Sequence, residues 1–217
     1  PIVLEDASLE GIWRPENDGG KFYGPTRLRW ALTKSRNLVS IRLLRQLGVS
    51  RLIDYAGQLG FDTSDFAPDL SLALGTHAMA PLELAAAYAV LANGGYRVEP
   101  YLIARVDDSA GETVWAADPV RVCRDCEGRE LSMEEILAGE DANGHRSAGR
   151  VMDERVNFIL DDMLQDVITR GTGRRALTLK RKDLAGKTGT TNGPMDAWFS
   201  GYNRDVVTTT WVGFDAY

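Results

Sequence analysis

The chain has only two cysteines and two histidines among 217 residues, too few for a disulfide-rich scaffold or a histidine-built metal cluster. It has no run of about 20 apolar residues, so no segment reads as a membrane span. It has no excess of basic charge. Twenty-five Lys and Arg face thirty-one Asp and Glu, a net charge of −6, which argues against a dedicated nucleic-acid binder. There is no basic-then-apolar signal segment and no internal repeat. The first residue is Pro1 rather than methionine, and the last segment, TTTWVGFDAY, stops just after a strand-like run. The sequence therefore reads as a piece of a longer polypeptide, in which an upstream catalytic group would go unseen. What is present is ordinary globular composition, 44% apolar and 26% charged, which excludes collagen-like, low-complexity and wholly disordered chains. The length suits one domain with a core that needs no covalent staples.

The two cysteines lie three apart, Cys123 and Cys126 in VCRDCEG. A lone CxxC is half a zinc site, with no second pair and His145 as the nearest histidine. A redox pair belongs at the start of a helix after a strand, whereas this one sits in a polar, charged stretch. A local disulfide or free thiols, a zinc site completed from elsewhere, and redox chemistry all stay open.

Residues 1–25 read as loop and turn, with PENDGG and YGP carrying the breakers. A helix is expected from near Thr26, with Leu28, Ala31 and Leu32 on one face, broken around Lys34-Ser35-Arg36-Asn37. The next helix, LVSIRLLRQLG, ends at Gly48 and is apolar nearly all round, which predicts burial in the middle of the domain. A third follows over 50–59. Pro81 opens a further helix, rich in alanine, that Asn93-Gly94-Gly95 closes. Residues 100–107 and 112–116 form a hairpin around Asp108-Ser109-Ala110-Gly111, and 117–150 reads as a surface insertion. The clearest helix carries Val156, Ile159, Leu160, Met163, Val167 and Ile168, with Asp153 as its cap and Gly171 as its stop. Strands over about 184–191, 196–202 and 206–213 finish the chain. Helices followed by an antiparallel C-terminal sheet give an α/β (α+β) fold with helices packed on that sheet.

Two motifs stand out. Ser35-Arg36-Asn37 lies in a helix break, and Lys187-Thr188-Gly189-Thr190-Thr191-Asn192 lies on a strand. The second has the makings of an anion site. Lys187 brings a compact charge, and Thr188 and Thr190, two apart, put their hydroxyls on one side of the strand. Gly189 faces the other side, where lack of a side chain admits a close neighbour. Such a strand at a sheet edge pairs with an extended peptide, and a backbone N–H beyond the glycine points at a developing oxyanion. The pattern suits a peptide-like substrate carrying a carboxylate. The plainer readings are a solvated lysine on a threonine-rich strand, and a helix cap for Ser35 and Asn37.

AGKTGT also invites comparison with a phosphate-binding loop. That motif needs a glycine at position 181, which is Arg181, and a helix after the lysine, where the pattern is strand. Nucleotide binding is set aside.

Taken together, the motifs resemble the serine acyl-transferases that bind penicillin, whose signature is S-x-x-K, S-x-N and K-T-G. TRLRWALTKSRNLVSIRLLRQLG, ALGTHAMAPLELAAAYAVLANGG and ITRGTGRRALTLKRKDLAGKTGTTNGPMDAWFSGYNRDVVTTTWVGFD resemble the transpeptidase domain of class A penicillin-binding proteins, the 1A type. The likeness covers most of the chain outside 117–150. It implies a penicillin-binding/beta-lactamase-like transpeptidase fold, of which 1–217 would be the C-terminal part. It also implies peptidoglycan cross-linking on the periplasmic side of the bacterial inner membrane. There a serine attacks a D-alanyl-D-alanine stem peptide, forms an acyl-enzyme and passes the acyl group to an amine, while beta-lactams trap it. The membrane anchor and glycosyltransferase domain of such proteins would lie outside this chain. By the same resemblance Ser35, Asn37 and Lys187 are catalytic: Ser35 relays a proton to the leaving group, Asn37 holds substrate and the catalytic lysine, and Lys187 polarises Ser35. Thr188, Gly189 and Thr190 bind substrate, and the Thr190 N–H forms half of an oxyanion hole. The implied partners are the stem peptide, beta-lactams and the rest of the parent chain, with no nucleic acid, no metal and no cofactor.

One element is missing. None of the ten serines, from Ser8 to Ser200, has a lysine three residues later. In this family S-x-x-K precedes S-x-N, so the nucleophile and its lysine base are expected upstream of Pro1. A non-catalytic module that binds beta-lactam or muropeptide is the alternative, and a class A beta-lactamase shares the motif logic without an assignable deacylating glutamate.

Overall fold

The computed structural model describes residues 4–6, 11–123, 146–191 and 195–214. In chain order it contains β1 (Leu4–Asp6), β2 (Gly11–Trp13), α1 (Leu28–Thr33), α2 (Asn37–Leu47), α3 (Val49–Leu59) and α4 (Pro81–Ala92). Then come β3 (Arg105–Asp107), β4 (Thr113–Ala116), α5 (Glu154–Arg170), β5 (Ala185–Thr190), β6 (Ala197–Tyr202) and β7 (Val207–Val212). Among the described residues no helix is long and apolar enough to cross a membrane.

The C-terminal strands form one antiparallel sheet in the order β5-β6-β7, with Lys187 opposite Ser200 and Ser200 opposite Thr209. Asn203 shapes the β6–β7 turn: its Oδ1 accepts from the N–H groups of Asp205 and Val206 at 3.0 and 2.8 Å. These bonds are local to the turn, the usual way an asparagine side chain supports one. Among the described strands β5 lies at an edge of this sheet. α4 packs on β6 and β7, α5 on β5, and α1 on α5. Leu164, Val167, Ala185 and Tyr202 form the buried centre between helices and sheet, with Leu32, Tyr88 and Leu91 against it. Leu38 and Ile41 of α2 pack separately with Trp13, Leu70 and Ala73.

Asp153 caps α5, its Oδ1 accepting from Arg155 N at 2.9 Å and Val156 N at 3.4 Å. Pro81 opens α4, and Glu83 reaches back to the Ala80 N–H at 2.9 Å. Three expectations need correction: the loop over 1–25, the burial of α2 and the length of the hairpin. Residues 1–25 are not loop throughout, because β1 pairs with β2, but three-residue strands are too short to show a period. α2 is not buried all round. It buries Leu38, Ile41 and Leu44, while Leu43 and Leu47 lie exposed on the opposite face. On α5 the apolar stripe is buried only at its C-terminal end: Val156 and Ile159 are exposed, and the polar Asn157 takes a buried place. The hairpin is shorter than expected, and Leu102 before it is 92% exposed.

Cys123 is disulfide-bonded, which sets aside the free-thiol and zinc-thiolate readings for that residue; Cys126 lies outside the described residues. Most of the expected 117–150 insertion, 124–145, also lies outside them. Its two described flanks meet, with Arg121 bridged to Ser147.

Candidate active site

The site begins with how α1 ends. Ser35 N donates to Leu32 O at 3.1 Å and Arg36 N to Ala31 O at 2.9 Å, the paired bonds of a Schellman stop. The residue at its turn must take a left-handed conformation, normally the place of glycine. Here it is Ser35, at φ 51°. A non-glycine residue there costs on the order of 1 kcal/mol, a strain that collects where a side chain is needed.

Neighbouring contacts fix this turn. Thr33 is fully buried and its hydroxyl donates to Arg29 O at 2.7 Å. Lys34 Nζ donates to Arg170 O at the end of α5. Arg29 pairs with Asp166 at 3.0 Å and with Asp162, so α1 is tied to α5 along its length. Gly171 lets the two helix ends meet: a Cβ there would lie 2.4 Å from Thr33 O. Arg36 is partly buried, its guanidinium 3.5 Å from the centre of the Tyr23 ring.

Against this turn lies β5. Lys187 Nζ donates to Ser35 Oγ at 2.9 Å and to Thr188 O at 2.7 Å. The two side chains are 152 residues apart in sequence. Burial holds the Lys187 ammonium down, to about 8. Ser35 Oγ accepts a hydrogen bond from the ammonium, so its own hydroxyl proton points elsewhere. The pair is therefore a hydroxyl donor backed by a buried charge.

Thr188 Oγ1 lies 2.6 Å from Thr172 Oγ1, and the Thr190 side is exposed at the strand edge. Gly189 faces Trp198, whose Cβ would be 3.2 Å from an added Cβ, so its close neighbour is the adjoining strand. Asn37 is the first residue of α2. Its Nδ2 donates to Glu16 O at 3.0 Å, and its Oδ1 makes no hydrogen bond among the described residues. Neither Ser35 nor Asn37 caps α2 with its side chain, so the helix-cap reading falls. The N–H of Leu38 in the first turn of α2 is met by Asn17 Oδ1, at 3.2 Å.

Of the six residues singled out from sequence, Ser35 and Lys187 touch directly. Thr188, Gly189 and Thr190 continue along the same strand, and Asn37 stands two residues beyond Ser35. Sequence reasoning missed Thr172, Asn17 and the Lys34 clamp. Thr172 left a trace, since it sits between two glycines, Gly171 and Gly173, just past a helix end. Asn17 left none.

Comparison with known proteins identifies the family. The family described as penicillin binding protein transpeptidase domain matches residues 10–216. Penicillin-binding protein 1A of Pseudomonas aeruginosa is 46% identical over 99% of this chain and 29% of its own length. Its namesake from Neisseria lactamica is 41% identical over 99% of this chain and 24% of its own. The crystal structure of penicillin-binding protein 1A from Haemophilus influenzae superposes with a TM-score of 0.86 at 33% identity, covering all of this chain and 34% of that one. The chain thus spans about a quarter to a third of the length of these relatives. Motifs, fold and similarity agree: this chain belongs to the family of penicillin-binding protein transpeptidase domains.

Proposed function

We propose that this chain is the C-terminal part of the D,D-transpeptidase domain of a bifunctional, class A peptidoglycan synthase, acting on the periplasmic side of the inner membrane. The observation that carries the reading is the 2.9 Å bond from Lys187 Nζ to Ser35 Oγ. A serine supplied by the upstream segment attacks the D-alanyl-D-alanine carbonyl. The attacking serine gives its hydroxyl proton to the upstream lysine base. The bond to the terminal D-alanine nitrogen breaks, and Ser35 Oγ delivers a proton to that nitrogen and takes one back from the lysine base. The net proton passes from serine to departing amine. Serine and peptide carbonyl are then joined as an ester, which the amine of a neighbouring stem peptide resolves. A beta-lactam enters by the same route through its ring amide.

Lys187 supports this step in two ways. Its charge makes the Ser35 hydroxyl a better donor, and it draws the substrate carboxylate toward Thr188 and Thr190. The Asn37 Oδ1 is an acceptor for a substrate amide N–H. The free edge of β5 offers backbone pairing to an extended peptide, and the Thr190 N–H meets the oxyanion.

The test is labelling with fluorescent penicillin. The parent polypeptide should be acylated, and this chain alone should not. Labelling of this chain alone would place the nucleophile among its own residues. A parent polypeptide that binds penicillin reversibly without acylation would make the domain a binding module instead.

A further inference from the structure

At the other end of the sheet from Thr190, a cavity of about 570 Å³ opens between the C-terminal end of α4, the N-terminal half of α5 and the β6–β7 turn. Ser35, Asn37, Lys187, Thr188 and Thr172 are not among its lining residues. Its walls hold two buried polar atoms, Asn157 Oδ1 and the Tyr202 hydroxyl oxygen, without hydrogen-bond partners among the described residues. Asn157 is 7% exposed; its Nδ2 donates to Leu91 O at 3.1 Å, which fixes the amide and leaves Oδ1 an unmatched acceptor. Tyr202 is 4% exposed, and among the described residues its hydroxyl makes no hydrogen bond of full geometry, although it faces the Asp161 carboxylate closely enough to interact with it. Leaving such groups unpaired is costly, so a donor-rich occupant would be favoured.

The charges on the walls are unevenly matched. Arg150 lies over the Tyr96 ring and donates to Gly94 O, Asp183 is paired with Arg181, and Arg204 with Asp205. Asp161 accepts from Gln165 Nε2 at 2.8 Å and has no ion-pair partner among the described residues. Asp161 stands four residues after Asn157, on the same face of α5. Its charge acts on the Tyr202 hydroxyl, which burial and that charge together keep firmly protonated. A carboxylate, an amide oxygen and a phenol thus line one cavity, with Leu91, Ala92 and Phe158 supplying apolar surface beside them.

We propose that this cavity is a second ligand site, which takes a primary alkylammonium group on an aliphatic stem. An ammonium carries three N–H donors, matching the three groups, and its positive charge answers Asp161. The source is a small diamine or a lysine-type side chain of a peptide.

Calorimetric or NMR titration of the protein with 1,5-diaminopentane, and separately with N-acetyl-lysine amide, tests it. Saturable one-to-one binding is expected, and the tighter of the two probes identifies the source. Asp161→Asn should weaken binding about tenfold or more. Tyr202→Phe should weaken it about threefold or more while leaving the melting temperature unchanged or higher, since it removes an unpaired buried hydroxyl. Should Tyr202→Phe fail to fold, Asp161→Asn, at a less buried position, decides alone. The bis-trimethylammonium analogue has the charge without N–H donors and should not compete. Absence of saturable binding to both probes, equal binding of the quaternary analogue, or indifference to Asp161→Asn would each overturn the site.

Discussion

At its C-terminal end α5 is fastened on every side. Asp166 holds Arg29 and Arg170, Arg170 O receives Lys34, and Gly171 lies under Thr33 O. At its N-terminal end the same helix leaves Val156, Phe158 and Ile159 exposed and Asn157 half-satisfied. The first end holds Ser35 against Lys187 and carries strain at a left-handed serine. The second end borders an open cavity. The ion pairs and close backbone contacts of this helix gather at the end that borders Ser35 and Lys187.

The largest effect should come from the charged member of the fastened end. Lys187→Ala in the parent polypeptide should slow penicillin acylation by about 10²–10³-fold, the scale of losing one stabilising donor at a developing charge. An unchanged rate would remove Lys187 from the chemistry. The same lysine sets a pH test. Below about pH 8 it is charged in folded and unfolded chains alike, and the burial cost is fully present. Between about 8 and the ordinary value of 10.5 the unfolded chain holds a proton that the folded chain releases, so stability should rise by about 3 kcal/mol. Acylation should fall over the alkaline limb as the ammonium is lost. Lys187→Met should abolish the stability rise, and chemical denaturation across that range reads it.

How much of this was legible in the sequence follows the range of the interactions. The Asp153 cap and the Pro81 start of α4 are local, and each was visible from a few residues. The Ser35–Lys187 contact spans 152 positions. No period or cap encodes it; only resemblance to a family joined the two motifs. Thr172 and Asn17 act through tertiary bonds to Thr188 and Leu38, so their identities alone carry no signal. The apolar count misled on α2, because apolarity marks a surface suited to burial without showing what covers it.

Two changes at the fastened end sharpen the contrast further. Gly171→Ala would put a methyl 2.4 Å from Thr33 O and 2.6 Å from Val167 Cα, both backbone atoms. We expect about 2–4 kcal/mol of lost stability together with slower acylation, measured by thermal melts and penicillin labelling. Asp166→Asn should cost about 1 kcal/mol or less. Arg170 first, and then Arg29, hold the Asp166 carboxyl below its ordinary value. Its contribution is therefore present above about pH 4 and lost as pH falls through the lower folded value, and the mutant's acid unfolding curve should lack that component. At the open end, Val156→Ser and Ile159→Ser should change stability by less than about 0.5 kcal/mol. A loss above 1.5 kcal/mol at either would show that the exposed face is covered.

The most direct test of the account is a double-mutant cycle on the rate of penicillin acylation in the parent polypeptide, using Ser35→Ala, Lys187→Ala and the pair. If the hydroxyl and the ammonium work as one unit, the double mutant will be little worse than either single one, as is usual for groups that act together. Losses that simply multiply would contradict it, leaving two neighbours that contribute separately.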